Sequence, residues 1–282
     1  MEIIPIAKSL GAEVIGAQLV NMDIKTYSSI EEAFSRYLVL CFRDQQLGPG
    51  DLVNLAKRFG GVGETPYLSG LKDYPDVVPI VKEANEKSPH TFGSGWHTDF
   101  TFQKKPPART LLYALDVPPK GGDTLFANLQ EAYESLSKGM QESLSRLRAL
   151  HSSIRSYGPY ARLKTHLENM TITNEKEDPG FESHPVIRRH PVTGKPALWI
   201  NPTYTIRFDG MTDQESQPLL DYLNDLITDA RFICRVRWKR NSLVMWDNRC
   251  TQHSASSDYA GHRREMWRIT TAGDIPANFG QV

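Results

Sequence analysis

The segment from Phe232 to Lys239 constrains the fold most strongly, because its side chains alternate along the chain. One set of alternate positions holds Phe232, Cys234, Val236 and Trp238, and the other holds Ile233, Arg235, Arg237 and Lys239. A period of two residues is typical of a β-strand with one face against a core and the other toward water. The chain must therefore contain a sheet with at least one buried face.

Other short segments extend this pattern. Runs rich in β-branched and aromatic residues predict strands at 110–117, 197–200, 243–246 and 266–271. Capping patterns predict helices that begin near Ser29, Asp51, Asn128 and Thr212, the third of them running toward Leu150. Strands and helices do not alternate regularly, which argues against a doubly wound parallel fold. The order favours an antiparallel barrel or sandwich with helices on its outside.

Charge and hydropathy exclude several classes of function. The 282 residues include 33 Lys+Arg and 33 Asp+Glu, so the chain lacks the basic excess typical of nucleic-acid-binding proteins. No apolar run approaches the roughly 18 residues of a membrane helix, and the N-terminal segment does not resemble a signal peptide. We therefore expect a cytoplasmic protein with no nucleic-acid partner and no membrane association.

Domain organisation and cysteine usage are both simple. No repeat, low-complexity tract or long linker divides the sequence, so we expect a single domain over residues 1–282. The three cysteines, Cys41, Cys234 and Cys250, are odd in number and have no CxxC spacing. Buried free thiols are therefore expected instead of disulfides or a zinc ribbon.

A possible metal-binding set begins at His97 and Asp99. These residues are two apart, and on an extended chain they would project from the same face and could bind one metal ion together. His253, at the end of the strand-like run 243–253, is the candidate third ligand. Two histidines and one carboxylate form the facial set of non-heme Fe(II) oxygenases. A hydrolytic zinc enzyme and a non-catalytic metal-binding protein remain alternatives with the same ligands.

Two arginines follow this set closely. If residues 264–270 form a strand, Arg264, Met266, Arg268 and Thr270 share one face. Burying two guanidinium groups on that face is costly unless anions meet them, and the planar guanidinium suits bidentate binding of carboxylates. The pair therefore predicts two anionic ligands near the metal.

Four segments, in this order along the chain, resemble the TauD/TfdA family of Fe(II)- and 2-oxoglutarate-dependent dioxygenases. They are Trp96–Phe102, Gly121–Thr124, Trp246–His253, and Arg264 with Arg268. The resemblance spans nearly the whole chain. It implies a mainly β fold with helices, namely a double-stranded β-helix (jelly roll) core with packed outer helices. The implied reaction uses O2 to convert 2-oxoglutarate to succinate and CO2 while an unactivated C–H bond is hydroxylated.

The resemblance also implies roles for individual residues. His97, Asp99 and His253 would be the iron ligands and the catalytic centre. Thr124 and Arg264 would hold the distal carboxylate of 2-oxoglutarate, whose keto acid end chelates the metal. The cofactor set implied is therefore Fe(II), 2-oxoglutarate as cosubstrate, and O2.

The substrate side follows from the remaining residues of the resemblance. Arg268 is left to bind the anionic group of a small organic substrate. Tyr157 and Tyr204 fall near positions where relatives place substrate-facing side chains, with ordinary loop packing as the alternative for both. Family members are often dimers or tetramers, so the resemblance implies a homo-oligomer.

Three positions depart from the taurine-oxidising members of the family. Thr65, Leu68 and Gly93 stand where those enzymes have a His, a Tyr and an Asn around the substrate. Residues 74–86 and 258–261 are more similar to the aryloxypropionate (dichlorprop-type) dioxygenases. We therefore expect an apolar or aryloxy carboxylate as substrate, with a sulfonate or alkyl sulfate as the alternative.

Overall fold

The computed structural model describes residues 1–158, 161, 169–170, 172 and 180–280. Its strands are β1 (Glu2–Pro5), β2 (Ala12–Ile15), β3 (Val39–Phe42), β4 (Val78–Lys82), β5 (Arg109–Asp116), β6 (Thr124–Asn128), β7 (Arg148–His151), β8 (Glu182–Pro185), β9 (Ile187–Arg189), β10 (Pro196–Leu198), β11 (Thr205–Phe208), β12 (Ile233–Val236), β13 (Leu243–Asp247), β14 (Thr251–Ala255), β15 (Arg264–Thr270) and β16 (Ala277–Asn278). Its helices are α1 (Ile24–Tyr37), α2 (Pro49–Arg58), α3 (Leu129–Glu134), α4 (Lys138–Ser145), α5 (Ile154–Tyr157) and α6 (Asp213–Ile227), with a 3-10 turn at Ala230–Phe232. Strands thus recur along most of the described chain.

Two sheets form the centre of the molecule. The larger has seven strands in the order β1-β2-β3-β13-β5-β15-β4, antiparallel except for the β2–β3 pair, and the smaller has the order β12-β6-β14. One apolar cluster contains Leu112, Val244 and Met266 from the large sheet together with Phe126 and Val236 from the small sheet. The two sheets therefore pack face to face, and the predicted jelly-roll core is confirmed.

The outer face of the large sheet is covered by helices. Phe34 of α1 and Leu55 of α2 pack in one cluster with Leu111 and Met245. Leu111 and Leu112 are neighbours on β5 that point to opposite faces, and both are buried. The strand is therefore covered on both sides, which explains its nearly continuous apolar sequence.

A second group of helices lies against the other strands. Leu129 of α3 and Leu223 of α6 belong to a cluster with Trp199 and Phe208. Two small sheets, β10-β9-β16 and β11-β7-β8, complete this side. In the part of the chain that the structure describes, every helix is too short or too polar to span a bilayer.

Two of the four predicted helix starts are correct. The Asn128 side chain caps α3 by accepting from the backbone of the residues at 130 and 131, and Thr212 forms the expected capping box with Glu215 at the start of α6. Near residue 51, however, the cap is Gly48, and Asp51 lies in the first turn of α2, where its carboxylate accepts from the Gly48 N–H. That carboxylate therefore supports the helix start from inside the helix.

Two further bounds differ from the prediction, namely the start of α1 and the end of the helix that begins after Asn128. α1 begins at Ile24 and not at Ser29, because the Asp23 carboxylate accepts the Thr26 N–H at 2.7 Å and so caps the chain earlier. The stretch predicted to run from Asn128 toward Leu150 splits into α3, α4 and strand β7, because Ser137 caps a new helix. Capping groups therefore set the helix bounds in each case.

The cysteines are free and buried, as predicted. Burial raises the pKa of the Cys41 and Cys234 thiols to about 12, so both stay protonated at neutral pH. Burial likewise raises the pKa of Cys250 well above its ordinary value. All three side chains therefore contribute as small apolar groups.

Two buried histidines pack beside Trp199. The His151 and His184 rings have centroids 5.4 Å apart, and each ring also contacts the indole. Burial lowers the pKa of His184 to about 4 and that of His151 well below the usual histidine range. Both imidazoles are therefore neutral at physiological pH.

Acidification is expected to destabilise the fold through this histidine pair. Because burial lowers the His184 pKa to about 4, the unfolded chain binds more protons than the folded chain between that pH and the ordinary histidine value. The free energy of unfolding should fall as the pH drops through this window, by on the order of 3 kcal/mol for His184 alone. Urea unfolding across the same pH range measures the effect.

A matched pair of variants isolates this contribution. His184→Gln should flatten the pH dependence, whereas His262→Gln, at an exposed histidine, should leave it unchanged. An unaltered pH dependence in His184→Gln would contradict the assignment.

Candidate active site

Three buried side chains with metal-binding atoms meet where the two central sheets adjoin. His253 lies on β14, and its backbone pairs with His97 through two hydrogen bonds of 3.0 and 2.8 Å. The Nε2 atoms of His97 and His253 lie 3.9 and 4.0 Å from Asp99 Oδ1. One ligand atom from each residue falls within 4.8 Å of the others, which is suitable for a single ion. The structure thus brings the predicted set together.

The local backbone differs from the sequence prediction. Residues 93–100 form turns with a single β-bridge at His97 and are not an extended strand, and Phe100 has a φ of 47°. The run 243–253 is not one strand either. It divides into β13 of the large sheet and β14 of the small sheet, because the turn at 248–250 carries the chain across the sandwich. His97 and Asp99 are therefore brought together by the turns of residues 93–100, and His253 reaches them from β14.

The protonation states suit a cation. Burial lowers the pKa of both His97 and His253, so their imidazoles are neutral. For Asp99, burial acts to raise the pKa, but opposing effects led by the Arg268 charge and including the hydrogen bond from Thr110 outweigh it, so the pKa falls below the usual range. His97 Nδ1 lies 2.8 Å from the Gly95 carbonyl, which directs its Nε2 lone pair to the centre. Two neutral imidazoles and an ionised carboxylate fit a divalent metal.

A second group of potential ligands, His190, Asp247 and Cys250, has a different character. His190 Nδ1 accepts from the backbone N–H groups of the residues at 192 and 193, so its Nε2 carries the proton and donates to Asp247 at 3.0 Å. Arg249 donates to both oxygens of the same carboxylate, at 2.8 and 2.6 Å. The lone pairs that a metal would need are already used, so this group stabilises the turn between β13 and β14.

Thr124 and Arg264 share the pocket of the metal-binding set. The pocket lining includes His97, Asp99, Thr124, His253, Arg264 and Arg268. Trp238 contacts both Thr124 and Arg264. Its Nε1–H donates to Thr124 Oγ1 at 2.9 Å, and its ring centroid lies 5.8 Å from Arg264 Cζ. The alternation in 232–239 predicts Trp238 only as a core residue, and nothing in its sequence context indicates this contact.

Arg264 is a buried cation that can accept an anion. Arg264 is only 3% exposed, and its Nε has no hydrogen-bond partner among the described residues. Burial lowers the pKa of the group, yet a guanidinium remains charged at neutral pH. An unpaired buried charge is costly, so an anionic ligand at Arg264 would be strongly stabilising.

Arg268 contacts the Asp99 carboxylate directly. Its Nη2 is 2.9 Å from Asp99 Oδ1, the oxygen that also faces both histidines. Its guanidinium carbon lies 4.7 Å from the centre of the Phe100 ring. The 2.9 Å contact is an ion pair without hydrogen-bond geometry, and neither Nη1 nor Nη2 has a hydrogen-bond partner among the described residues. The guanidinium can therefore still bind a further anion.

An aromatic cluster adjoins Arg268. It contains Tyr67, Phe100, Phe102, Tyr157 and Tyr204. The Tyr67 and Tyr157 rings stack with centroids 4.8 Å apart, and Phe102 packs edge-on against Tyr204 at 5.0 Å. Burial raises the pKa of Tyr157 to about 12, and its hydroxyl is hydrogen-bonded to Tyr204. The two predicted tyrosines therefore lie together in this cluster.

Sequence reasoning missed three members of the cluster. Phe100 and Phe102 lie in the same segment as the predicted ligands, and their spacing of two residues just after Asp99 is a usable signal. Tyr67 has a φ of 68°, which its sequence context does not indicate. Two of the positions that differ from the taurine-oxidising enzymes lie at or near this cluster. Leu68 belongs to the cluster, and Gly93 lines the adjoining pocket beside His97.

A face-to-face sandwich holding two histidines, one carboxylate and buried arginines defines the class of 2-His-1-carboxylate non-heme iron oxygenases. Residues 2–270 match the family described as Taurine catabolism dioxygenase TauD, TfdA family. The chain therefore belongs to the TauD/TfdA family and is a 2-oxoglutarate-dependent dioxygenase that uses Fe(II) and O2. This membership argues against the non-catalytic binding protein and the zinc hydrolase.

Individual relatives carry different substrate names. An alpha-ketoglutarate-dependent sulfate ester dioxygenase of Pseudomonas putida is 30% identical, with 98% of this chain and 91% of that protein covered. The (S)-phenoxypropionate/alpha-ketoglutarate-dioxygenase of Sphingobium herbicidovorans is 29% identical, with 97% and 95% covered. The crystal structure of AAD-2 with Mn(II) and N-oxalylglycine superposes with a TM-score of 0.78 at 26% identity, covering 98% of each chain. Identity alone therefore does not separate the substrate classes.

Proposed function

We propose that this enzyme oxidises a C–H bond of a small anionic substrate, and that His97, Asp99 and His253 hold its iron. The proposal is supported by the 4.8 Å grouping of their ligand atoms and by their protonation states. With the cofactors bound, the site couples oxidative decarboxylation of 2-oxoglutarate to oxidation of the substrate. The chain's own side chains then orient the two organic anions and exclude water.

In this proposal Thr124 and Arg264 hold the distal carboxylate of 2-oxoglutarate. Arg264 offers a buried guanidinium whose Nε has no partner among the described residues, and Thr124 lines the same pocket. Trp238 restrains both residues through its indole N–H and its ring. A carboxylate there would complete the hydrogen bonds of the arginine and so offset the cost of its burial.

We further propose that Arg268 binds the anionic group of the primary substrate. The observation that carries this step is the position of its guanidinium, 4.7 Å from the Phe100 ring centre and next to the aromatic cluster. Tyr157 and Tyr204 would contact the organic part of the substrate. An anion at Arg268 thus points its remaining atoms toward rings and not toward polar side chains.

This lining favours an apolar or aryloxy carboxylate. Aromatic rings gain most by packing against other rings or apolar carbon. Leu68 contributes a further apolar side chain in place of a hydroxyl, and Gly93 contributes no polar side chain. A short zwitterion such as taurine would have to desolvate its ammonium group against these side chains, which is costly even where a ring face attracts the cation.

Sulfonates or sulfate esters are the second candidate class. A guanidinium binds sulfate as well as carboxylate oxygens, so Arg268 by itself does not separate them. The named activity of the Pseudomonas putida relative supports this class. The apolar surface would accommodate the alkyl chain of a sulfate ester equally well.

A panel of substrates that share the same organic group but differ in their anionic group distinguishes the carboxylate class from the sulfonate and sulfate ester class. Succinate formation should be compared for aryloxy and alkyl compounds that carry carboxylate, sulfonate, sulfate or phosphonate groups. We expect kcat/KM to be highest for an aryloxy carboxylate, roughly 10- to 200-fold above taurine, because the contrast lies mainly in apolar contact. A higher rate with alkyl sulfates or sulfonates would favour the second candidate and overturn the first.

A further inference from the structure

A chain of hydrogen bonds ends on Asp99 at the oxygen that does not face the histidines. Thr110 Oγ1 donates to Asp99 Oδ2 at 2.6 Å, and Asn248 Nδ2 donates to Thr110 Oγ1 at 2.9 Å. Trp246 Nε1 donates in turn to Asn248 Oδ1 at 3.0 Å. Three side chains from β5, β13 and the turn after it therefore connect the core to the carboxylate.

The direction of every bond in this chain is fixed by its first member. An indole N–H can only donate, so Asn248 must present its carbonyl oxygen to Trp246 and its NH2 group to Thr110. Thr110 has one hydroxyl proton, and because it accepts from Asn248 that proton is directed to Asp99. Reversing any link would set two donors or two acceptors against each other.

The chain is also rigid. Thr110 and Asn248 are both 0% exposed, and Trp246 is opposite Thr110 in the β13–β5 register. The backbone of Asn248 is held as well, since its carbonyl accepts from Trp199 Nε1 at 3.0 Å. Bonds of this kind in a buried setting resist rotation of the groups they join.

Asp99 consequently has two oxygens with different surroundings. Oδ2 accepts from Thr110, whereas Oδ1 faces His97 Nε2 and His253 Nε2 at 3.9 and 4.0 Å. The Thr110 hydroxyl occupies one lone pair of Oδ2 and fixes the rotation of the carboxylate, so Oδ1 is the oxygen turned toward the two imidazoles. We propose that Thr110 and Asn248 are positioning residues that present Asp99 to the metal through Oδ1 alone. This inference rests on the proposed role of Asp99 as an iron ligand.

The test is the affinity for Co(II), a redox-inert probe of the iron site, measured by calorimetry in the absence of O2. Thr110→Val removes the hydroxyl but keeps the shape of the side chain. We expect it to weaken Co(II) binding about 10- to 100-fold, as is usual when a partner of a metal ligand is lost. Thr110→Ser restores a hydroxyl and should bring the affinity back to within about 3-fold. The visible Co(II) spectrum should also change in Thr110→Val and recover in Thr110→Ser.

Thr271→Val is the matched control. Thr271 is also buried, and its hydroxyl oxygen accepts the Arg109 N–H without contacting Asp99. This variant should lose stability while keeping wild-type Co(II) affinity. Asn248→Asp provides a second test should Thr110→Val not fold, because it would draw the Thr110 proton away from Asp99 and should weaken Co(II) binding similarly.

The outcomes distinguish the positioning role of Thr110 and Asn248 from the ligand role of Asp99. If Asp99→Asn loses Co(II) binding while a folded Thr110→Val or Asn248→Asp binds it as tightly as wild type, the positioning role is wrong and the ligand role stands. If Asp99→Asn itself binds Co(II) like wild type, the ligand role of Asp99 is wrong and the inference falls with it. A loss of affinity in Thr110→Val that Thr110→Ser does not reverse would also contradict the role of the hydroxyl.

Discussion

Replacement of Asp99 by alanine is expected to abolish iron-dependent succinate formation. The variant removes the single carboxylate that faces both His97 and His253, and it leaves the buried Arg268 charge unpaired. Removing one partner of a buried charge pair costs about 3–5 kcal/mol, so Fe(II) affinity should fall by roughly 10²- to 10⁴-fold. Anaerobic titration with Fe(II) and 2-oxoglutarate, followed by the weak visible charge-transfer band, measures the affinity.

Asp116→Asn serves as the control. Asp116 is a partly exposed carboxylate at the end of β5, and it pairs with Arg263 at 3.5 Å, away from the pocket. It should retain both Fe(II) binding and turnover. Full activity in Asp99→Ala would show that the metal lies elsewhere.

The second large effect concerns the two buried arginines, because we expect each of them to bind a different organic anion. Arg264→Ala should raise KM for 2-oxoglutarate, and Arg268→Ala should raise KM for the primary substrate. Losing one partner of a buried, hydrogen-bonded charge pair costs about 2–5 kcal/mol, which corresponds to roughly 30- to 5,000-fold. Both constants are measured at saturating Fe(II), because Arg268 also contacts Asp99.

Arg263→Ala controls for the loss of an arginine at this end of β15. Arg263 is partly exposed and pairs with Glu83 and Glu265 on the surface. Exposed pairs contribute little, so both KM values should stay within about 2-fold of wild type. If Arg264→Ala and Arg268→Ala raised the KM for 2-oxoglutarate and the KM for the primary substrate equally, the assignment of one anion to each arginine would be wrong.

Local patterns in the sequence predicted much of this fold. The alternation in 232–239 corresponds to β12, and Arg264, Met266, Arg268 and Thr270 share the buried face of β15 as the period of two requires. These features depend on side chains a few residues apart. The pairing of β13 with both β3 and β5 depends on contacts between distant segments, which no local pattern reveals.

The site shows the same contrast. His97, Asp99 and His253 were identified because their segments carry recognisable motifs. Thr110 and Asn248, by contrast, meet across 138 residues of sequence, and neither residue type is unusual in its own segment. The stacking of Tyr67 on Tyr157 likewise arises only once the fold exists. Oligomeric state and cellular location stay predictions.

Asp99 Oδ1 faces both the Arg268 guanidinium and the two histidines, and this arrangement affects the energetics of binding. A cation bound at Asp99 Oδ1 and the guanidinium 2.9 Å from that oxygen repel each other. If Arg268 binds the anionic group of the substrate as proposed, that anion would neutralise the repulsion, and substrate and metal would strengthen each other's binding. Thermodynamic reciprocity requires the two gains to be equal. With the proposed roles of Asp99 and Arg268, the enzyme would retain its iron best while substrate is plentiful and release it more readily when substrate runs out.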